Sequence, residues 1–384
     1  MNEKIKELAV RSALALGAGA VRVTSARADE ESRRRMQAAF ERGDFLCWRY
    51  DARYARRATD PGELCRGARS VICIALPYAM PGARSRGPLR GRVSNYAWSG
   101  DYHRRLRALL SEVATQIDAA AGEPVTAIAC DTKPLAERAL AARAGLGWVG
   151  KHTNLIVPTL GSFVFLGEVV TTLELPPDEP LRKHCGSCRR CIDGCPTQAL
   201  RGDYTIDANR CISDLTQRTD SIPEAMRALI GDWVWGCDIC QTVCPPTREA
   251  GITAGAQWQP RGPEAAQPAL VELLALRGSA FKKQYRPTAM GWRGGAVLRR
   301  NAAVALGNAL DRSTVGPLIE SLSEDANPMV RGHAAWALGR IGSPRAISAL
   351  QRRLDVEREG EVRAEIATAL RPFQPPERSK KATT

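Results

Sequence analysis

The chain has 384 residues, 44% of them hydrophobic, with a formal net charge of +14 and twelve cysteines. That length provides for two or three packed domains, and no apolar run approaches the ~20 residues needed to cross a bilayer, which excludes an integral helical membrane protein. The surplus of Lys and Arg suits a polyphosphate partner met through salt-dependent contacts better than a small metabolite. An arginine-rich genome composition, with 41 acidic residues interspersed, would give the same surplus without such a partner.

The opening MNEKIKELAVRSALALGAGA has a charged start and small residues, but Arg11 interrupts its apolar part, and Ile5, Leu8 and Leu16 share one helical face. An amphipathic helix over about 3–16 is the better reading than a secretory signal. Twelve cysteines without an export signal imply a reducing cytoplasm, where thiolates hold metal rather than each other.

Helical periodicity returns at about 102–120, where Leu106, Leu109, Leu110, Val113 and Ile117 share a face, and β-rich runs occur at 70–76, 125–130 and 162–173. The segment 134–147 begins with Pro134 and ends in glycine, as a helix does. Residues 1–175 are thus expected to form an α/β (α+β) domain. Within it, Asp131 follows the strand VTAIAC and precedes a helix start. One reading projects its carboxyl into a cleft, where burial raises its pKa and keeps it protonated; the other makes it the helix N-cap.

The densest chemistry lies between residues 176 and 250. Cys185, Cys188, Cys191 and Cys195, followed by Pro196, read CxxCxxCxxxCP, and Cys237, Cys240 and Cys244, followed by Pro245, form a second run. In the first pattern three thiolates surround one 4Fe-4S cubane and the fourth goes to a neighbouring cluster. The second run lacks one close thiolate, which Cys211 in RCISDLT supplies. Cross-ligation then predicts Cys185, Cys188, Cys191 and Cys244 on one cluster, and Cys195, Cys211, Cys237 and Cys240 on the other. Zinc sites use paired CxxC units at wider separations, without the third thiolate and the proline. Cys47, Cys65, Cys73 and Cys130 are scattered and read as buried thiols.

A polar linker and a helix, 251–285, precede an internal repeat at 286–384. RNAAVALGNAL at 300–310 recurs as RGHAAWALGRI at 331–341 and more weakly as RAEIATAL at 363–370, each preceded or followed by a second apolar helix. Stacked helix pairs of this kind are HEAT-like repeats with an extended concave surface. Arg299, Arg300, Arg331 and Arg340 are candidates to line that surface; the alternative is that they cap helices and pair with carboxylates.

With these features together, the chain resembles the epoxyqueuosine reductases, cobalamin-dependent iron–sulfur enzymes that complete queuosine at the wobble position of tRNA. The resemblance rests on GDYHRRL at 100–106, DTKPLAERALAARAGLGWVGKHTNLI at 131–156, GSFVFLGE at 161–168, both cysteine runs, RCISDLT at 210–216, GCDICQTVCP at 236–245 and RNAAVALGN at 300–308. The chain departs from the pattern at CPPT (244–247), at Asp214 where an aromatic is expected, and through 39–61.

The resemblance implies a tRNA substrate, two 4Fe-4S clusters and a cobalamin bound base-off, Asp131 as proton donor, and Ser94, Asn154, Ser162 and Ser213 as corrinoid contacts. Lys151, Arg299, Arg300 and Arg331 are then candidates for tRNA binding, a flavodoxin or ferredoxin for the electron donor, and a monomer for the working form. His103 sits in a DxH pair with Asp101 but lacks the Gly that a cobalt-ligand motif needs at 106, where Leu106 stands; packing by His103 and Tyr102 is the other reading. A corrinoid reductive dehalogenase, or a non-enzymatic iron–sulfur electron carrier, are the alternatives. The first is typically exported and needs no basic repeat, and the second needs no corrinoid.

Overall fold

In the computed structural model, which describes residues 1–82, 88–255 and 258–374, the N-terminal part grows around a four-stranded sheet. Its elements are α1 (Asn2–Ala15), β1 (Ala20–Ser25), α2 (Glu30–Glu41), α3 (Ala52–Thr59), β2 (Ser70–Pro77), β3 (Arg92–Val93), α4 (Tyr102–Ala121), β4 (Thr126–Ala129), α5 (Glu137–Arg143), the hairpin β5 (Trp148–Val149) and β6 (Leu155–Ile156), and β7 (Val164–Thr171). The sheet order is β1-β2-β7-β4 with every neighbouring pair antiparallel. SVICIALP is buried along its whole length because both faces are covered. Ile72, Ile74 and Leu76 meet Ile5, Leu106 and Leu110 from α1 and α4, while Val71, Cys73 and Ala75 meet Leu140 and Ala141 from α5, as strand alternation requires.

One expectation changes here: the helix read over 134–147 is confined to Glu137–Arg143, with Ala136 as its N-cap residue. Asp131 follows the carboxyl end of β4 in a local turn, at φ +52°.

The cysteine segment follows as short pieces: α6 (Arg190–Asp193), α7 (Ile212–Gln217), α8 (Glu224–Ile230), β8 (Trp233–Trp235), α9 (Ile239–Thr242) and α10 (Pro245–Ala250). It is sewn to the sheet region by the parallel pair β3–β8 and by close backbone approaches. A Cβ on Gly236 (φ +67°) would fall 2.5 Å from the Ser94 Cβ, and one on Gly161 (φ +69°) 2.6 Å from the Thr247 Cα, so only glycine serves at either place.

The C-terminal helices are α11 (Leu270–Leu274), α12 (Gly278–Gln284), α13 (Gly295–Ala309), α14 (Val315–Glu324), α15 (Pro328–Ile341), α16 (Pro344–Val356) and α17 (Gly360–Leu370). The small residues of the repeat allow α13, α15 and α17 to touch: a Cβ on Gly307 would lie 2.9 Å from Ala337 Cα, and one on Gly339 2.7 Å from Ala369 Cβ. One apolar core runs without interruption from Ile212, Leu215, Trp233 and Trp235 through Leu298, Ala302 and Leu306 to Val362 and Ile366.

The repeat arginines serve this packing. Arg299 forks onto Asp325 (2.6 and 3.0 Å) and Arg331 onto Glu357 (2.9 Å twice), each an acid 26 residues further on. Arg340 lies over the Trp336 ring at 5.3 Å. Arg300 is fully buried and donates to the carbonyls of Leu215 (2.9 Å), Arg218 (2.8 Å) and Asp220 (2.6 Å). Burial lowers its pKa to about 9. The assignment of Arg299, Arg300 and Arg331 to an open RNA-binding surface is therefore corrected. They are ties within and between helices, and Arg300 ties α13 to the segment behind Cys211. No helix among the described residues is long and apolar enough to cross a membrane.

Candidate active site

The turn after β4 places Asp131 against the first turn of α4. Tyr102 donates its hydroxyl to Asp131 Oδ2 at 2.7 Å, His103 Nε2 lies 3.2 Å from the same oxygen, and His103 Nδ1 lies 2.6 Å from Asp101 Oδ1. Asp101 also caps α4 through the His103 amide. The capping role considered for Asp131 is absent among the described contacts: its carboxylate meets a phenol and an imidazole, and its own N–H donates to Glu137 Oε1 at 2.6 Å. With both ring nitrogens engaged by carboxylates, His103 is not a free metal ligand.

The electrostatics also differ from expectation. Hydrogen bonding to His103 lowers the Asp131 pKa, and that, with the Tyr102 hydroxyl, outweighs the opposing effect of burial. Burial pulls the His103 imidazole down, but Asp101 and Asp131 outweigh it and raise it to about 9. In the resting site the proton belongs to His103, and Asp131 is a carboxylate whose side chain is 59% exposed. Behind it lie two acids that sequence reasoning did not single out. Burial raises Glu137 to about 7 and Glu168 well above its usual value; neither Glu168 oxygen has a hydrogen-bond partner among the described residues.

The eight clustered cysteines fall into two electrostatic neighbourhoods. Cys191 senses Cys185 and Cys244, and Cys244 senses Cys185 and Cys188. Cys211 senses Cys195, Cys237 senses Cys211 and Cys195, and Cys240 senses Cys211 and Cys237. Cys240 also senses Cys191, so the two groups adjoin. Burial pushes Cys191 and Cys211 to about 11 and Cys237 to about 12, so these thiols become good thiolates when a metal supplies the compensating charge. Among the described residues no group of three or more His, Cys, Asp or Glu is arranged to hold a metal ion; the sequence spacing of the eight thiols is that of a two-cluster 4Fe-4S protein, in which each thiolate takes a separate iron.

Other residues picked from sequence have structural occupations. Lys151 donates from Nζ to the carbonyls of Gly186 (2.8 Å) and Cys188 (3.0 Å), and from its backbone N–H to Cys185 Sγ (3.4 Å). It fastens the first cysteine loop, with its ammonium at the surface. Ser94 is buried and donates to Asp238, and Ser162 is buried with its hydroxyl 3.0 Å from that of Thr247. Both belong to the seam between sheet and cysteine segment, and CPPT supplies the Thr247 that closes it. Asn154 and Ser213 are half-buried, and the Ser213 hydroxyl accepts from Gln217 Nε2 at 3.1 Å. The Tyr50 phenol lies within electrostatic reach of both Asp131 and Asp214, which puts the turn after β4 and α7 in one neighbourhood.

Two adjoining thiol quartets beside an imidazole–carboxylate pair, carried by an antiparallel sheet and clamped by helical repeats, define an iron–sulfur oxidoreductase. Three family models match the chain: "Epoxyqueuosine reductase QueG, DUF1730" over residues 58–132, the 4Fe-4S double cluster binding domain over 184–247 and HEAT repeats over 296–371. The epoxyqueuosine reductase of Bacillus anthracis is 34% identical over 380 residues, covering 96% of this chain and 97% of its own length. That of Bacillus subtilis is 37% identical over 310 residues, or 80% of each chain. A crystal structure of selenomethionine-labelled epoxyqueuosine reductase superposes with TM-score 0.91 at 33% identity, covering 97% of this chain and 99% of the other. One solved with an epoxyqueuosine-modified tRNA-Tyr stem loop gives 0.89 at 33%, covering 96% and 98%. The chain belongs to the epoxyqueuosine reductase family.

Proposed function

We propose that this chain reduces epoxyqueuosine to queuosine at the wobble position of tRNA, removing the epoxide oxygen as water with two electrons and two protons to leave an alkene. Family membership supports the reaction, and the tRNA stem loop bound by its relative supports the substrate. The observation that carries the reading at this chain's own residues is the Asp101–His103–Asp131 chain of contacts, with Tyr102 on the same Asp131 oxygen.

In this reading Cys185, Cys188, Cys191 and Cys244 would hold one 4Fe-4S cluster, and Cys195, Cys211, Cys237 and Cys240 the other. Asn154 and Ser213 would contact a cobalamin. When bound, a corrinoid would supply a strongly reducing cobalt nucleophile, and 4Fe-4S clusters one-electron transfer to it.

The chain's own residues manage the proton. Asp101 fixes the imidazole through Nδ1, so that Nε2–H points at Asp131. Tyr102 holds the other lone pair of the same carboxylate oxygen. As substrate covers Asp131, loss of water raises the carboxyl's proton affinity, the proton moves from His103 Nε2 to Asp131, and Asp131 delivers it to the epoxide oxygen; reloading of the pair from solvent provides the second proton with which the oxygen leaves as water. Lys151 and its backbone N–H keep the first cysteine loop in place during turnover. The working form is a cytoplasmic monomer supplied by a flavodoxin or ferredoxin.

The test is anaerobic purification with metal analysis and nucleoside profiling. About eight iron and eight sulfide per chain are expected, with bound cobalamin and conversion of epoxyqueuosine in tRNA by reduced flavodoxin. Full metal loading without conversion overturns the reading.

A further inference from the structure

Beside Asp131 the chain builds an array of aromatic rings from the segment where the family resemblance is loosest. The turn between α2 and α3 brings Phe40, Phe45, Trp48, Tyr50 and Tyr54 together. Tyr50 and Tyr54 stack with centroids 4.3 Å apart, Trp48 lies parallel to Tyr50 at 6.0 Å, and Trp292, just ahead of α13, extends the row at 6.4 Å from Trp48. The Arg293 guanidinium covers Trp292 at 3.6 Å and reaches Trp48 at 5.1 Å, and its Nε has no hydrogen-bond partner among the described residues.

The row is anchored at its inner end and along its side. Tyr50 and Tyr54 lie within electrostatic reach of Asp131, and Trp48 Nε1 donates to Asp214 at 2.6 Å. Asp214 is itself a departure from the family pattern, so two departures meet in one hydrogen bond. The outer end is open: Trp292 is 56% exposed, and exposed Arg49 and Arg53 flank the array on the same segment. Parallel indole and phenol faces ending in a solvent-facing tryptophan under an arginine make a poor interior but a good surface for flat π-systems. Every nucleobase offers such a face, and a guanidinium among the rings both stacks and meets phosphate. A strand whose modified nucleoside reaches Asp131 carries its neighbouring unpaired bases to these rings.

We propose that Trp48, Trp292 and Arg293 form a stacking platform for an unpaired anticodon-loop base next to the modified nucleoside; this rests on the function proposed above. The experiment measures binding of an unmodified anticodon stem-loop RNA to the anaerobic, cobalamin-loaded protein for wild type, Trp292→Ala, Trp292→Phe and Trp48→Phe, with iron content and corrinoid absorbance as folding controls. Trp292→Ala raises Kd about five- to a hundredfold, the range for loss of one base stack. Trp292→Phe, which keeps a π-face, restores most of the affinity, and Trp48→Phe, which keeps the stack but loses the Asp214 bond, weakens it less than Trp292→Ala. Since stacking releases no counterions, the ratio of Trp292→Ala to wild type stays constant from low to high salt.

Equal Kd values for Trp292→Ala and wild type overturn the platform. So does a ratio that collapses with salt, which would assign the site to phosphate. Unchanged RNA affinity with a raised KM for reduced flavodoxin would assign it to the redox partner, and loss of cobalamin binding alone would make the rings part of the corrinoid pocket. Failure of the wild-type protein to bind the stem loop removes the tRNA function itself, a result distinct from all of these.

Discussion

His103 Nε2 stands 3.2 Å from Asp131 Oδ2 on an imidazole whose other nitrogen is held at 2.6 Å by Asp101. Two carboxylates on one ring make it the resting store of the proton and leave Asp131 ionised. The acid of the reaction is thus a pair, in which one member keeps the proton and the other is positioned to spend it.

That pairing has a pH signature. The His103 pKa is raised from 6.5 to about 9 in the folded chain, so its contribution to stability is fully present below about 6.5 and is lost as pH rises through about 9. Thermal melts of wild type and His103→Gln should therefore differ most at neutral pH and converge by about pH 10. A Tm gap that stays constant across the range rules out a charged His103. Turnover should fall over the same upper limb.

At Asp131, the Asn substitution keeps the shape and one acceptor for Tyr102 but removes the acid. Turnover should fall about a hundredfold or more, the usual scale of general acid catalysis, while RNA and cobalamin still bind. Asp131→Ala should be no worse. Wild-type turnover in Asp131→Asn would reduce the carboxylate to a positioning contact.

What could be read from the chain alone followed the strength of local patterns. α4 was legible because five apolar residues recur on one face of a 20-residue helix, and the thiol quartets because their spacing is itself the chemistry. α2 was not, since none of its residues is buried and it carries no apolar stripe. Asp131 could be read as acid or cap until its positive φ and side-chain partners were known. Arg299, Arg300 and Arg331 looked like a basic face, because a repeat shows that positions are equivalent without showing which way they point. A signal was present at Arg300: it sits beside Asn301, Ala302 and Ala303, in a stretch too small and apolar to face water.

Cross-ligation is tested at Cys195. Its thiol neighbours are Cys211 and Cys237, from the second neighbourhood. Cys195→Ala should alter the spectroscopic signal of the cluster held by Cys211, Cys237 and Cys240 and leave that of Cys185, Cys188, Cys191 and Cys244. Change confined to the latter cluster would reverse the sorting.

One continuous core joins the repeat helices to the cysteine segment, so removal of residues 286–384 should disturb the clusters. Trp233, Trp235, Leu215 and Ile212 pack with Leu298, Ala302 and Leu306, and Asn301 Nδ2 donates to the carbonyls of Thr216 (2.7 Å) and Val234 (2.8 Å). Arg300→Met makes the test with a single side chain of similar length. It strands three carbonyls, those of Leu215, Arg218 and Asp220, at a cost of about 1–3 kcal/mol for each buried acceptor left unpaired. The expected result is a strongly lowered Tm and loss or alteration of the Cys211-containing cluster. Arg299→Ala and Arg331→Ala should lower Tm by breaking their carboxylate forks, without reducing the slope of log Kd against log salt for RNA, because neither guanidinium is free to displace a counterion. A stable Arg300→Met protein with intact clusters and weakened, less salt-dependent RNA binding would return Arg300 to the RNA surface and sever α13 from the cluster region.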